Sequence, residues 1–402
     1  MPKRSFLCAI CLAIVITALA LPVQAGPTVY EKGESWIDLS LLVQVEYRYT
    51  DPDQGPSTDD IWFRRLRPFV LGGLNKDWQG IIQLDFGAGA SGEVYDTTFR
   101  WINFQYTRVE QSHLTIGSFK HFFSREFNTL GPHLQTIERT FVGNNDYGNP
   151  GYTIGIGWDQ MTKNRKLFYG LSLGAQDHQT PVDTMSFRSP ANTDEPEANE
   201  GWAAAGRVDF YPLGEMPWDV KPLAGAAVYD RGDFHTKAWR LMLSAGGYYW
   251  WNDNDNNTYT VNGVSTRATN ADLDKAWGVE LSGGIRGFGL SGDVEYQYVK
   301  GELIDTGFTG GLYENGDTGL DKFTINAGYM IFRNQMEVVA AWSYLNADNY
   351  MKASTRSIIG VNWFAYKEGV VRFSANYTFS KNVDGVDGND GNVVELLGQL
   401  NW

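Results

Sequence analysis

The sequence contains very little cysteine, and what it has lies in one place. Both cysteines, Cys8 and Cys11, fall within the first 25 residues. This stretch has a short positive head, an apolar core and small residues before position 26, which predicts a secretory signal peptide over residues 1–25. The rest of the chain, 26–402, has no cysteine, so a disulfide scaffold is excluded even though an exported chain could form one.

Long apolar runs and positive charge are also scarce. After residue 25 no apolar run reaches 18 residues, so no membrane-spanning helix is expected. Without Lys3 and Arg4 the chain has 31 basic against 47 acidic residues, a net charge of −16, which argues against a nucleic-acid partner. Glycine (45), tryptophan (14), tyrosine (21) and phenylalanine (22) are abundant instead, and they favour β structure with many tight turns.

The stretch WIDLSLLVQVEYRYT (36–50) alternates between apolar and polar side chains. Apolar residues occupy the odd positions from Ile37 to Tyr49, and polar residues fill most even positions from Asp38 to Arg48. This period of two predicts a strand. The strand is long by comparison with globular proteins, where about five or six residues are usual. The same alternation recurs in FTINAGYMIF (323–332) and VRFSANYTFS (371–380).

Sixteen such strands are predicted along the chain. They cover residues 36–50, 61–72, 77–88, 95–107, 112–119, 151–159, 166–176, 201–211, 237–251, 275–286, 287–300, 320–332, 334–346, 352–365, 369–381 and 392–402. Short connections alternate with long polar ones, which is typical of a transmembrane barrel with turns on one side and loops on the other. A further apolar segment at 224–230 would make the count 17. A barrel with both termini on the periplasmic side needs an even number, so we assign 218–236 to a long periplasmic connection, with 18 strands as the alternative.

The predicted fold is therefore all-β, a transmembrane antiparallel β-barrel of about 16 strands, with 18 as the alternative. Every backbone amide in hydrocarbon needs a hydrogen-bond partner, and among β structures only a closed barrel provides them. The apolar face of each strand would contact outer-membrane lipid, while the polar face would line a water-filled interior. A soluble β-sandwich of this size would normally be several domains, and no linker is visible.

Three arginines occur in the predicted strand FRRLRP (63–68). An arginine that faces lipid at the bilayer midplane costs roughly 2–4 kcal/mol. Arg65 and Arg67 are therefore expected to face the lumen, with Arg64 near a rim or at a bulge. Their guanidiniums could bind phosphate or carboxylate oxygens. Alternatively, they pair with inward carboxylates (Asp85, Glu46 or Asp38) and hold the barrel wall together.

An unusually apolar segment, 117–144, lies between two predicted strands. It combines buried-type side chains, five of them phenylalanine, with charged ones. A loop of this composition is expected to fold into the barrel and narrow it, as a constriction loop over about 119–150. The alternative is a loop packed over the barrel mouth. Its polar candidates for the pore are Lys120, Ser124, Arg125 and Arg139.

No pattern in the chain predicts an enzyme or a bound cofactor. The sequence GLSLG (170–174) matches the G-x-S-x-G nucleophile pattern, but it lies in mid-strand with no helix after it. The five histidines show no metal-ligand spacing. Neither catalytic residues nor metal ligands are therefore expected.

Three features together resemble one known family. They are the arginine strand IWFRRLRPFVLGG, the strand end Gly117-x-Phe119-Lys120, and the loop that reaches Ile137-Glu138-Arg139 before GYTIGIGW. Their order and spacing resemble the phosphate-selective porin O and P family of Gram-negative outer membranes, most clearly over residues 36–176.

The resemblance implies a 16-stranded barrel that assembles as a homotrimer and carries basic residues in its lumen for anion passage. Arg64, Arg65 and Lys120 match best, and Ser124, Arg125 and Arg139 match within the constriction loop. Two departures from the family are the acidic net charge and a terminal Trp402 in place of the commoner phenylalanine.

The expected function is that of an outer-membrane porin for passive diffusion of small solutes, with anions such as phosphate preferred. One alternative is a pore selective for cations or neutral nutrients, if inward Asp38, Glu46 and Asp85 outweigh the arginines. Another is a structural barrel that surrounds a partner protein such as a cytochrome.

Overall fold

The computed structural model describes residues 28–87, 98–109, 111–176, 201–214, 232–252, 258–261, 264–267, 273–303, 306–332, 334–366 and 370–402. These residues form strands almost throughout. The strands are β1 Thr28–Lys32, β2 Ser35–Pro52, β3 Thr58–Asn75, β4 Trp78–Asp85, β5 Thr98–Tyr106, β6 Ser112–Lys120, β7 Tyr152–Met161, β8 Leu167–Gln176, β9 Gly201–Phe210, β10 Arg240–Asn252, β11 Thr258–Val261, β12 Val264–Arg267, β13 Leu273–Gly287, β14 Leu290–Leu303, β15 Asp317–Phe332, β16 Met336–Ala347, β17 Ser354–Tyr366, β18 Val371–Lys381 and β19 Gly391–Asn401.

Helical structure in this part of the chain is brief. One turn of α-helix, α1, spans Arg125–Asn128. Short 3-10 turns occur at Gly131–His133, Phe141–Gly143, Asn145–Tyr147 and Val383–Gly385. Among the described residues no helix has the length and apolar character needed to cross a membrane.

Sixteen of the strands close into one barrel. From β2 to β10 and from β13 to β19 each strand pairs antiparallel with its neighbour, and β19 pairs back with β2. At this seam Leu41 and Trp402 exchange two backbone hydrogen bonds of 2.8 Å. Each predicted barrel strand corresponds to one of the sixteen, so the predicted fold class is confirmed with the lower strand count.

The two faces of each strand differ as the alternation predicts. In β2 the side chains of Ile37 and Leu39 are 39% and 40% exposed, whereas Gln44 and Glu46 are 0% exposed. In β15 Ile325 is likewise exposed on the outer face. Apolar side chains thus cover the outside of the cylinder and polar ones fill it, which is the arrangement that lipid outside and water inside require.

The two ends of the barrel carry different connections. Tight turns join β3 to β4, β13 to β14 and β15 to β16 at the end where β2 begins, the periplasmic end in a barrel of this kind. Longer connections leave from the opposite end. At the periplasmic end only β9 and β10 are joined by a long segment, and its apolar stretch 224–230 lies outside the described residues.

Two small elements were not predicted from the sequence. Strand β1 pairs with Ser35–Asp38 at the beginning of β2, which also pairs there with β3. Strands β11 and β12 form a short hairpin within the connection from β10 to β13, where we predicted only a polar loop. Both lie outside the sixteen-stranded cylinder, so the long amphipathic alternation that marks the barrel strands does not mark them.

Gly117 of β6 allows a test of the stability of the barrel wall next to the predicted constriction loop. Its φ is +121°, and an added Cβ would clash with the carbonyl oxygen of Ile102 on the neighbouring β5. Gly117→Ala is expected to destabilise the barrel by about 1–3 kcal/mol or more, because it adds a clash to a backbone conformation that side chains disfavour. The measurement is the temperature at which the compact band on a semi-native SDS gel is lost.

Gly72→Ala is the matched control, since a Cβ at Gly72 would make only ordinary contacts with Trp36 and Ile37. Equal midpoints for the two variants would contradict the argument.

Candidate functional site

A single long segment, 121–151, occupies the interior of the barrel. It connects β6 to β7, turns inward from the end opposite the tight turns, and is named here the constriction loop. Its apolar side chains are buried: Phe123 is 0% exposed, Leu134 1% and Ile137 2%. The inward path predicted from its composition is therefore confirmed, and packing over the barrel mouth is not observed.

The first anchor of the constriction loop is Glu295 on β14. Its carboxylate accepts hydrogen bonds from the backbone amides of Arg125 (3.1 Å) and Glu126 (2.9 Å) and from the Ser124 hydroxyl (2.8 Å). The Arg125 guanidinium also donates to Asp293 on the same strand. Ser124 and Arg125 are almost wholly buried, so they hold the loop to the wall rather than line the open part of the lumen.

The second anchor lies deeper in the barrel, around Gln135. Its side chain donates to Glu337 and Ser291 at 2.7 Å, and its carbonyl accepts from Asn362 at 2.9 Å. The guanidinium of Arg372 donates to the Leu134 carbonyl at 2.6 Å. The loop is thus fixed to strands β14, β16, β17 and β18, which spans about a quarter of the circumference.

The third anchor is a cluster of two arginines and three glutamates. Glu138 of the loop pairs with Arg64, whose Nη2 lies 2.7 Å away, and with Arg48. Arg64 also pairs with Glu46, while Arg48 pairs with both Glu46 and Glu395 at 2.9 Å. Burial alone would raise the pKa of Glu138, but the adjacent Arg64 and Arg48 guanidiniums outweigh it and hold that pKa below its usual range. Glu138 is therefore ionised at neutral pH.

A β-bulge explains how two consecutive arginines face the lumen. Gln44 of β2 pairs with Arg65, whereas the next residue, Val45, pairs with Phe63, so Arg64 is the extra residue. Such a bulge turns neighbouring side chains to the same face. The structure therefore places Arg64 at a bulge, one of the two positions predicted for it.

The two interpretations of the arginine strand both have support in the structure. Arg64 pairs with Glu46, and Arg67 pairs with Asp85 at 2.7 Å, as expected if the arginines hold the wall together. Among the described residues, Arg65 by contrast donates only to the uncharged Gln44. Arg65 is thus the one of the three without a carboxylate partner in this part of the chain, although Arg67 also lines the interior cavity.

An open cavity of about 1170 Å³ runs lengthwise beside the constriction loop. Strands β2 to β7 and β17 to β19 contribute its outer wall. Its acidic lining residues are Glu138, Glu395 and Asp146, and its basic ones are Arg48, Arg65, Arg67, Lys120, Arg139 and Arg356. Among the described residues that line this cavity, basic side chains therefore outnumber acidic ones, although the chain as a whole is acidic.

Three of these guanidiniums have no carboxylate at ion-pair distance among the described residues. They belong to Arg65, Arg139 and Arg356. Arg139 donates to the Thr129 carbonyl at 2.7 Å, and Arg356 lies 4.7 Å over the ring of Phe141. Burial lowers the pKa of Arg139, but a guanidinium keeps its charge at neutral pH. These groups retain capacity to bind an anion.

Lys120 lies at the root of the loop, where β6 ends. Its ammonium donates to the Phe127 carbonyl at 2.6 Å and lies 4.5 Å from the Phe127 ring. The cavity thus receives cations from the wall (Arg65, Lys120) and from the loop (Arg139).

Two residues of this site were not proposed from the sequence. Arg48 was recognised as inward in β2 but not as a partner of Glu138, and Arg356 in β17 was not singled out. The alternation of faces along β17 could have revealed Arg356. It lies two residues before Ile358, which is 1% exposed and faces inward. The partners of both arginines come from the loop, whose path the sequence did not specify residue by residue.

Ser172 of the GLSLG pattern hydrogen-bonds to a histidine, but in a closed position. Its hydroxyl lies 2.9 Å from Nδ1 of His121, the first residue of the constriction loop, and both side chains are buried. The backbone continues as regular β8 through this position. The sharp turn that exposes a nucleophile in hydrolases is therefore missing.

A sixteen-stranded membrane barrel with an inward loop beside a charge-lined cavity defines a porin-type channel. The sequence model of the family described as phosphate-selective porin O and P matches residues 37–305. The chain belongs to this family, and its place is the outer membrane.

Solved structures share the fold at low sequence identity. OmpT of Vibrio cholerae, folded in vitro, has a TM-score of 0.57 at 11% identity and covers 93% of this chain and 99% of its own. The same protein in its trimer form gives 0.54 at 13%, with coverage of 92% and 99%. The anion-selective porin from Comamonas acidovorans gives 0.55 at 12%, with coverage of 92% and 100%. Comparison with curated protein sequences finds no match.

Proposed function

We propose that this porin passes small anions by passive diffusion and prefers them to cations. The constriction loop narrows the lumen, so large solutes are excluded by size. Fixed guanidiniums beside the narrowed cavity raise the local concentration of anions and replace part of their hydration. Arg65, Arg67, Lys120 and Arg139 are the groups expected to contact the solute, while Arg64, Ser124 and Arg125 keep the loop in place.

The observation that carries the proposal is the uneven pairing of charges along the cavity. The carboxylates of Glu138 and Glu395 are engaged by Arg48, and Glu138 also by Arg64. Within the part of the chain that the structure describes, Arg65 and Arg139 hydrogen-bond only to uncharged acceptors. The field that a passing ion meets is therefore positive, which supports anion passage. Phosphate is one solute that such donors suit, because guanidinium forks match its oxygens.

Selectivity for cations finds less support in the same geometry. Of the three carboxylates that could favour cations, Glu46 pairs with two arginines and Asp85 with Arg67. Asp38 accepts a hydrogen bond from Thr28 near the start of the barrel. None of the three lines the 1170 Å³ cavity.

A barrel that surrounds a partner protein is also poorly supported. The constriction loop already fills much of the interior and is anchored at Glu295, Gln135 and Glu138. A folded partner would have to displace this loop and break buried hydrogen bonds. The remaining cavity is of the size that suits small molecules.

Reversal potentials in a planar bilayer test the anion preference. Under a KCl gradient the purified protein is expected to give a potential with the sign of chloride selectivity. The double variant Arg65→Ala with Lys120→Ala should lower the chloride-to-potassium permeability ratio by about threefold or more, because two cations leave the pore. Lys163→Ala, in the exposed turn between β7 and β8, is the control and should leave the ratio unchanged. A potassium-selective wild type, or an unchanged ratio in the double variant, would refute the proposal.

We also propose a homotrimer and an N-terminal signal peptide. The trimer form of OmpT supports the first, as a property of a protein with the same fold. The signal peptide at 1–25 rests on the sequence, since the described residues begin at 28. Chemical cross-linking and N-terminal sequencing of the purified protein test the two points separately.

A further inference from the structure

One side of the cavity departs from the rule that inward positions of a porin are polar. Four aromatic residues and one isoleucine line it: Phe69, Trp101, Phe127, Tyr152 and Ile81. We name these five residues the aromatic wall. Strands β3, β4, β5 and β7 contribute four of the side chains, and the constriction loop contributes Phe127. Phe69 lies on the same face of β3 as Arg65 and Arg67, whereas the other side chains reach the cavity from other strands and from the loop.

The members of the aromatic wall hold one another in fixed positions. The rings of Trp101 and Tyr152 meet edge to face at 5.9 Å, and Trp101 Nε1 donates to the Tyr152 hydroxyl at 3.2 Å. The Phe127 ring meets Tyr152 at 6.5 Å. Phe69 packs against this cluster but remains only partly buried. Phe69 is therefore the ring of the wall most open to the cavity.

Cations lie directly beside these rings. Lys120 Nζ is 4.5 Å from the Phe127 ring and 5.7 Å from the Tyr152 ring, while Arg139 Cζ is 5.7 Å from Phe127. Gly131, at the loop turn, lies against the guanidinium of Arg65. A solute at this level of the pore thus meets positive groups and an apolar surface within a few ångströms of each other.

We infer that the preferred ligand of this pore is an amphipathic organic anion, a carboxylate with a flat ring. This inference rests on the proposed anion passage and names its substrate class. A small inorganic anion would gain from the guanidiniums alone, whereas an apolar surface that faces water is unfavourable in proportion to its area. A ring-bearing carboxylate covers the exposed part of that surface, chiefly the Phe69 ring, and keeps its carboxylate on the cations. The cavity of about 1170 Å³ has room for such a ligand.

Ring dependence of channel block tests the inference. Chloride current through single channels would be titrated with benzoate, cyclohexanecarboxylate, acetate and neutral benzamide. The benzoate concentration that blocks half of the current is expected to be about tenfold lower than the acetate concentration. Benzoate, unlike acetate, contacts both the cations and the rings. Cyclohexanecarboxylate should fall between them, and benzamide should block weakly for lack of charge.

Variants at Phe69 and Arg65 separate the two parts of the site. Phe69→Gln should reduce the advantage of benzoate over acetate to less than about threefold, and Phe69→Leu should retain part of it. Arg65→Gln should weaken block by all three carboxylates while the order among them remains. The heat-dependent shift on an SDS gel confirms that each variant is folded before it is measured.

The results also distinguish this inference from the proposed function. Equal block by benzoate and acetate, or a benzoate advantage that persists in Phe69→Gln, would overturn the amphipathic ligand and leave anion selectivity standing. A potassium-selective reversal potential would overturn the anion preference itself, whatever the block experiment gives.

Discussion

Glu295→Ala is expected to roughly double the mean single-channel conductance and to make it fluctuate between levels. The substitution removes an acceptor that receives two backbone amides and the Ser124 hydroxyl at the start of the loop. Leaving the amides of Arg125 and Glu126 buried without a partner costs about 1–3 kcal/mol each. The first anchor would therefore open, and part of the constriction loop would leave the narrowest level of the pore.

The control for this experiment lies on the same strand. Glu302 of β14 forms a partly exposed pair with Lys275 of the neighbouring β13 at 2.7 Å. Glu302→Ala should leave conductance unchanged and cost less than about 1 kcal/mol, as surface pairs usually do. A steady wild-type conductance in Glu295→Ala would show that the other two anchors suffice to hold the loop.

Reversing two charges in the pore is expected to change the sign of its selectivity. Arg139 and Arg356 line the cavity and have no carboxylate at ion-pair distance among the described residues. The double variant Arg139→Glu with Arg356→Glu turns two cations into anions at the same level of the lumen. At about 4 Å in water, the interaction energy of two unit charges is roughly 1 kcal/mol. The chloride-to-potassium permeability ratio should therefore fall more than tenfold.

The matched control keeps the charge and changes only the shape. Arg139→Lys with Arg356→Lys should preserve anion preference, although it loses the hydrogen-bond fork of each guanidinium. Reversal potentials at two salt concentrations provide the measurement, because screening weakens the effect at high salt. A double glutamate variant that still prefers chloride would locate the selectivity elsewhere in the lumen.

The barrel was predictable from the sequence because its signal is local. Apolar and polar side chains alternate within each strand, and the alternation in 36–50 alone separates the membrane face from the lumen. The three arginines in FRRLRP could not all face inward in regular β structure, so Arg64 was expected near a rim or at a bulge, and the structure has the bulge. β1 and the β11–β12 hairpin are short and lie outside the cylinder, so they lack this signal.

The pore was predictable only in part because its contacts are not local. Composition indicated that the segment 117–144 folds inward, but not which wall each residue meets. Ser124 and Arg125, proposed for the pore, lie instead against Asp293 and Glu295, some 170 positions further along the chain. Arg48, Arg356 and the aromatic wall acquire their roles from neighbours on other strands, and parity within one strand does not reveal them.

The seam between β2 and β19 bears on how the molecule reaches its final state. Leu41 lies in β2, the first strand of the cylinder, and Trp402 directly follows β19, the last one. Until the two strands pair, each presents a row of unpaired backbone amides along its edge. Lipid cannot hydrogen-bond to these amides, and a neighbouring chain that did so would form a wrong assembly. Contacts so distant in sequence form slowly. The pairing of β2 with β19 should therefore limit the rate of assembly. Until it occurs, the free edges of both strands must be shielded from other partners.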